Sequence, residues 1–306
     1  MTDSDGTLLS GLPGNNPLGF LAALGVQTAL DTQGRKCAMY WTDQPIPQPV
    51  LEPAVDLAEI AEAVLVVAAR WLDGPALDET IDPKLKLKSQ EIREYLEQGR
   101  AAGSSGLLAV CLLAEGSLDR SQIAKPSDFY FTAGQQKFVS IARTSLGEVT
   151  EDEVVADAGS PWCYLGDRDS LMWDTVDDRD HALSASDPSK SKKPTNPGAE
   201  ALAIIGLGRF PCFASSGRTL TQGCSGTWKD GAFTWPLWGV PASSRTVGSL
   251  LGHVAPEGTE SERRRLKWYR AWGINRVLQS QIRRSDQGGY GTFGPPRVVW
   301  QREWRS

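Results

Sequence analysis

"GNNPLGFLAALGVQTAL", residues 14–30, is the first apolar run of the chain, and its reading decides what kind of protein follows. A secretory signal needs a cationic leader, whereas the residues before the run include Asp3 and Asp5 and no Lys or Arg. A membrane span needs about 20 apolar residues, and this shorter run is interrupted by Gly19, Gly25 and Gln27. The reading that remains is a globular helix over Asn16–Leu30. Asn16 is a good N-cap, and Pro17 suits the first turn, where a missing N–H breaks no helical bond. Apolar side chains occupy nearly every face, so the helix is expected in the interior.

The rest of the composition agrees with a globular protein. With 306 residues, 40% hydrophobic and 23% charged, the chain has the length of about two domains and an ordinary soluble balance. Cys37, Cys111, Cys163, Cys212 and Cys224 form no CxxC pair, and His181 and His253 are the only histidines. These features predict reduced thiols in a cytoplasmic protein and no structural zinc. A formal net charge of −5 argues against a free-standing, strongly basic nucleic-acid binder. Arginines and lysines nevertheless crowd the stretch from Arg263 to Arg305, which points to an anionic partner or to a solvated basic helix face.

Outward from the first helix, "KCAMYWT" reads as a strand and "DQPIPQPVLEP" as an extended loop. "DLAEIAEAVLVVAARWL" is a helix capped by Asp56, "KSQEIREYLEQGRAA" a polar helix capped by Ser89, and "GLLAVCLLAEG" a buried segment of either type. "DFYFT" is strand-like and hands over to a helix in "AGQQKFVSIARTSL". Thr150 and Glu153 form a capping box. Asp167–Pro197 has little core material, so a boundary is placed there, giving an N-terminal lobe over 1–187 and a C-terminal lobe over 188–306. "NPGAEALAIIGLGRF" opens the second lobe with Asn196 and Pro197, as Asn16 and Pro17 open the first helix. Asp230-Gly231 marks a hairpin between aromatic-rich runs. "SERRRLKWYRAWGINRVLQSQIRR" reads as one long basic helix, followed by a glycine-rich loop and an edge strand. The expected class is α+β, two-lobed, with helices packed on antiparallel hairpins.

No familiar catalytic motif is present: no GxGxxG after a strand, no GxxxxGK[ST], no HExxH and no GxSxG. "WDTVDDRDH" gathers Asp174, Asp177, Asp178, Asp180 and His181. Asp177, Asp178 and His181 are the set that would hold a metal for phosphodiester hydrolysis; the other reading is an acidic turn that caps a helix or pairs with Arg168 and Arg179. Gln135, Gln136 and Lys137 fall where a strand meets a helix, and Ala133–Gln136 is expected to form the first helical turn. Its free N–H groups attract a phosphate or a carbonyl; alternatively the glutamines satisfy buried backbone. Lys190, Lys192, Lys193, Arg283 and Arg284 are candidate phosphate contacts, or merely solvated charges. Tyr290 and Phe293, in a glycine-rich loop, are candidates for stacking on bases.

Five stretches, "NPLGFLAALG", "DFYFTAGQQKF", "WDTVDDRDHAL", "GAEALAIIGLGRFP" and "GYGTFGPP", together resemble CRISPR-associated proteins of type I-U, also called I-G. The similarity lies with their accessory effector and Cas3-extension or large-subunit-like proteins. It implies a component of a type I, Cascade-type interference system in antiviral defence, where guide RNA finds invading DNA and subunits hold backbones. The expected partners are other effector subunits, the nuclease-helicase, and guide RNA or target DNA, with no membrane and no cofactor. The expected role is non-enzymatic: holding nucleic-acid backbone or docking the nuclease-helicase. A metal-dependent nuclease and a pure protein-interaction scaffold are the alternatives.

Overall fold

Helices gather around the apolar run, and the described residues also form three antiparallel sheets. A computed structural model describes residues 6–132, 134–164, 168–175, 195–254, 260–284 and 290–302, with only the backbone for 260–264. The first part contains β1 (Thr7–Leu8), α1 (Pro17–Thr32), β2 (Ala38–Trp41), β3 (Pro49–Glu52), α2 (Leu57–Leu72), α3 (Ser89–Ala101), α4 (Leu107–Leu112), α5 (Phe138–Gly147) and α6 (Glu151–Gly159). The second contains α7 (Pro197–Leu207), β4 (Cys212–Ser215), β5 (Arg218–Thr221), β6 (Cys224–Ser225), β7 (Gly231–Trp238), β8 (Ala242–Ser243), α8 (Ser244–His253), α9 (Glu260–Tyr269), β9 (Ile274–Arg284), β10 (Gly291–Phe293) and β11 (Arg297–Gln301). The α+β class holds. Among the described residues no helix is long and apolar enough to cross a membrane.

Helix α1 is the buried helix its sequence predicts. Asn16 accepts from the Leu18 N–H at 2.9 Å, and every residue from Pro17 to Leu30 is buried. Gln27, which interrupts the apolar pattern, donates its amide to the carbonyls of Cys37 at 3.3 Å and Ala242 at 3.0 Å. It thereby fixes the sheet ordered β1-β3-β2-β8 over the helix, where a hydrocarbon would leave two carbonyls unanswered.

The main partner of α1 is α7. A Cβ on Gly25 would collide with the Leu202 carbonyl, and one on Gly206 with the Leu21 carbonyl, so the two backbones touch where both lack side chains. The helices run in the same direction. At one end Asn16 donates to Asp174 at 2.8 Å, Tyr164 donates its hydroxyl to the other Asp174 oxygen at 3.0 Å, and Asn196 accepts the Tyr164 N–H at 3.0 Å. At the other end Arg209 donates to Thr28 Oγ1 at 2.8 Å. Parallel helices bring two positive dipole ends together, and the Asp174 carboxylate lies between them. Asn196 is the N-cap residue of α7, but its side chain serves Tyr164 instead of the helix.

The 187/188 boundary lies outside the described residues. Elements before and after it share one hydrophobic core, through α1 with α7 and through β2, which pairs with β8.

Several local expectations are corrected. "DFYFT" forms no strand, and α5 starts at Phe138, with Lys137 rather than Ala133 at its head. Lys88, not Ser89, is the N-cap of α3. The basic C-terminal helix is short: α9 ends at Tyr269, and Gly273 at φ +74° turns the chain into strand β9. A non-glycine residue rarely takes that conformation. The C-terminal part therefore ends in strands, with β7 on one edge of β9 and both β10 and β11 on the other. The Asp230-Gly231 hairpin exists between β6 and β7, with Gly226 at φ +86° supplying the turn. The segment of either type, "GLLAVCLLAEG", holds the helix α4. Asp56 and the Thr150/Glu153 box cap α2 and α6 as expected.

An aromatic line runs from α1 to the C-terminal sheet. Phe20 lies 5.9 Å from Trp235, Trp235 stacks on Phe233 at 5.0 Å, and Phe233 meets Phe129 at 5.0 Å. Phe129 and Phe131 then pack on Phe293 at 6.1 and 4.8 Å. This line ties the segment Asp128–Phe131 to the core.

Candidate functional site

Asp128–Phe131 is not a strand: it begins as a turn, with the Tyr130 N–H donating to the Ser127 carbonyl at 3.0 Å, and its own carbonyls are met from elsewhere. Arg284 donates to the Asp128 and Tyr130 carbonyls at 3.1 and 2.9 Å. Trp173 donates to the Phe129 carbonyl at 3.0 Å, and the Gly291 N–H to that of Phe131 at 2.9 Å. Lys84 then holds the Gly134 carbonyl at 2.7 Å. Side chains and the start of β10 thus do the work of a neighbouring strand.

Beyond Phe131 the chain turns at Gly134, φ +58°. A Cβ there would sit 2.6 Å from the Tyr290 hydroxyl, so the glycine lets the two segments meet. Gln135 and Lys137 are exposed and Gln136 half-buried. They lie outside α5, not in its first turn. The Lys137 side chain makes no cap bond, while the Val139 N–H goes to the Pro83 carbonyl at 3.1 Å.

Gln135, Gln136, Lys137, Ser140, Ile141, Asp169 and Tyr290 line an open cleft of about 380 Å³. Four residues singled out in the sequence, Gln135, Gln136, Lys137 and Tyr290, therefore come together from two segments far apart in the chain. Ser140 and Asp169 were not anticipated. Ser140 follows Lys137 by three residues, which is neighbouring spacing on a helix start. Asp169 has no sequence signal, being placed by the fold alone. The cleft offers a phenol ring, amides, a hydroxyl, a cation and an exposed carboxylate, so it suits a hydrogen-bonding ligand with an anionic group for Lys137.

The other candidates separate. Phe293 is fully buried against Phe129, Phe131 and Phe233, which corrects its expected role in stacking on bases. Arg284 is a strand residue and not part of a solvated helix face. Its guanidinium lies 3.6 Å from the Trp228 ring centroid and 5.4 Å from that of Phe131. Desolvation lowers its pKa to about 10, against the pull of Asp128, and burial raises the Asp128 carboxyl. It builds the cleft from beneath and does not line it. Arg283, next along β9, is exposed and passes beside Gly294.

Lys190, Lys192, Lys193, Asp177, Asp178 and His181 lie outside the described residues. Asp174, from the same acidic stretch, is buried and binds Asn16 and Tyr164. Arg168 pairs with Glu148 at 3.5 Å and Glu153 at 3.1 Å. Among the described residues no three His, Cys, Asp or Glu side chains gather as a metal set. All five cysteines are unpaired, and burial raises the thiols of Cys37 and Cys212 to about 11 and about 12. A scan against protein-family models finds no match for the chain, and neither does a comparison with curated proteins.

Proposed function

We propose that the protein is a non-enzymatic component of a type I CRISPR RNA-guided DNA interference system, and that the cleft at Gln135–Lys137 and Tyr290 contacts nucleic acid. One observation carries this reading. The stretches "DFYFTAGQQKF" and "GYGTFGPP", two of those on which the resemblance rests, meet in space and form the walls of one polar cleft. Two others, "NPLGFLAALG" and "GAEALAIIGLGRFP", are the helices in closest contact. Stretches that pair in this way act as units of structure, and the exposed pair is the one with ligand chemistry.

Lys137 is the cation placed to meet a phosphate, with the Gln135 and Gln136 amides beside it. The expected result is salt-dependent binding of single-stranded DNA or RNA, measured by fluorescence anisotropy. Lys137→Gln should reduce the slope of log Kd against log salt by about 1. Absence of binding at low salt, together with failure to join an effector complex, would overturn the reading. Cleavage with magnesium or manganese that is lost in Asp177→Ala/Asp178→Ala would favour the nuclease alternative. The scaffold alternative draws on a second, more apolar groove of about 560 Å³ lined by Pro13, Pro45, Ile46, Pro161, Trp162 and Tyr164.

A further inference from the structure

The cleft carries one group that a phosphate site should not have. Asp169 is exposed in its wall, in the same cavity as Lys137. A carboxylate repels phosphate, so a groove that served only a sugar-phosphate backbone would be weakened by it. The Tyr290 ring, half-buried in the opposite segment, is likewise unnecessary for a phosphate. A carboxylate and an aromatic ring together suit a base: the ring stacks on its face, and the carboxylate accepts N–H groups from its edge.

We propose that the cleft takes a single unpaired nucleotide, with its base against Tyr290, its edge against Asp169 and its phosphate at Lys137. This rests on the nucleic-acid reading above and adds base recognition to it. The volume of about 380 Å³ gives room for one nucleotide. The chemistry also selects the base. Guanine presents two adjacent donors, its ring N–H and its exocyclic amine, which match the two oxygens of one carboxylate. Cytosine and adenine offer one amine on that edge, and uracil or thymine one ring N–H. Guanine is therefore the preferred occupant. Gln135, exposed at the mouth, can donate to the guanine carbonyl oxygen. Splayed-out bases stacked on aromatic residues and bonded along their edges are a general mode of single-strand recognition.

The test compares short oligothymidylates that carry, at one central position, deoxyguanosine, deoxyinosine, thymidine or an abasic site, all with the same number of phosphates. The wild-type protein should bind the deoxyguanosine oligomer about tenfold more tightly than the abasic one, within the range for stacking one base. Deoxyinosine, which lacks the exocyclic amine, should fall between them. Tyr290→Ala should abolish the difference between the deoxyguanosine and abasic oligomers, whereas Tyr290→Phe should retain it. Asp169→Asn should remove the preference for deoxyguanosine over deoxyinosine. Equal binding of the deoxyguanosine and abasic oligomers by the wild-type protein would overturn the proposal and leave a phosphate site. Failure to bind any oligomer at low salt would overturn this proposal together with the assignment of the cleft to nucleic acid, leaving the functional reading to the assembly test. The wild-type comparison needs no variant to fold.

Discussion

Arg283 and Arg284 are neighbours in sequence and opposites in structure. Their side chains leave β9 on different faces, as alternate strand residues must. Arg284 gives two charge-assisted bonds to the Asp128 and Tyr130 carbonyls and lies against Trp228. Arg284→Glu should therefore cost about 3–5 kcal/mol, because it leaves two carbonyls unanswered and puts a second anion beside Asp128. Arg283→Glu should change stability by no more than about 0.5 kcal/mol. Thermal melting of the two variants checks this, and equal melting would refute the assignment. Asp157 gives a prediction in pH. Burial raises its carboxyl from 3.8 to about 6, although it accepts from the Ala199 N–H at 3.1 Å. The folded chain therefore keeps a proton that the unfolded chain releases, and stability falls as pH rises from about 4 to about 6 and then levels. Asp157→Asn should flatten that slope without abolishing it, since Asp128 is raised in the same way. An unchanged slope in melting against pH would show that the group responsible lies elsewhere.

At the scale of elements, the contact between α1 and α7 is the most sensitive. Gly25→Ala would drive a methyl into the Leu202 carbonyl, and such overpacking should cost at least about 2 kcal/mol. Leu21→Asp, which buries an unpaired charge in the same interface, should cost more than about 4 kcal/mol. Chemical denaturation measures both; a Gly25→Ala variant as stable as the parent would mean that the helices can separate freely. These helices were legible because their signals are local, Asn-Pro starts and apolar residues on all faces, and α6 was legible through its Thr150/Glu153 box. Strand β9 was not. "INRVLQSQIRR" follows helical residues with a lone glycine, Gly273, as the break, and its partner β7 lies well upstream. Only the positive φ required at Gly273 separates the two. "DFYFT" misled in the opposite sense. Its aromatic composition suits a strand, but Arg284, Trp173 and Gly291 take the bonds that a partner strand would have made.

Over the whole molecule, part of the basic end suggested by composition is spent on internal bonds, while Lys267, Arg270, Arg283 and Arg297 remain exposed. Arg265 holds the His253 carbonyl at 2.9 Å, Arg276 pairs with Asp43 at 3.3 Å, and Arg297 donates to Gln279 at 2.8 Å. Composition reports how many charges a segment has, and only the fold decides which of them face solvent. The cleft was half legible for the same reason. Gln135–Lys137 and Tyr290 stood out by type and local setting, whereas Asp169 became part of the site only through folding. The α1–α7 pair also bears on how the protein is made. The Arg209–Thr28 bond joins residues 181 apart. At a synthesis rate of about 5–20 residues per second, α1 leaves the ribosome about 10–40 s before α7 can cover it. For that interval the side of α1 at Leu21 and Gly25 lacks the helix that covers it, while β2 and Trp41 are already at hand. The order in which its two central helices are synthesised thus makes the α1–α7 seam a late part of this core to close.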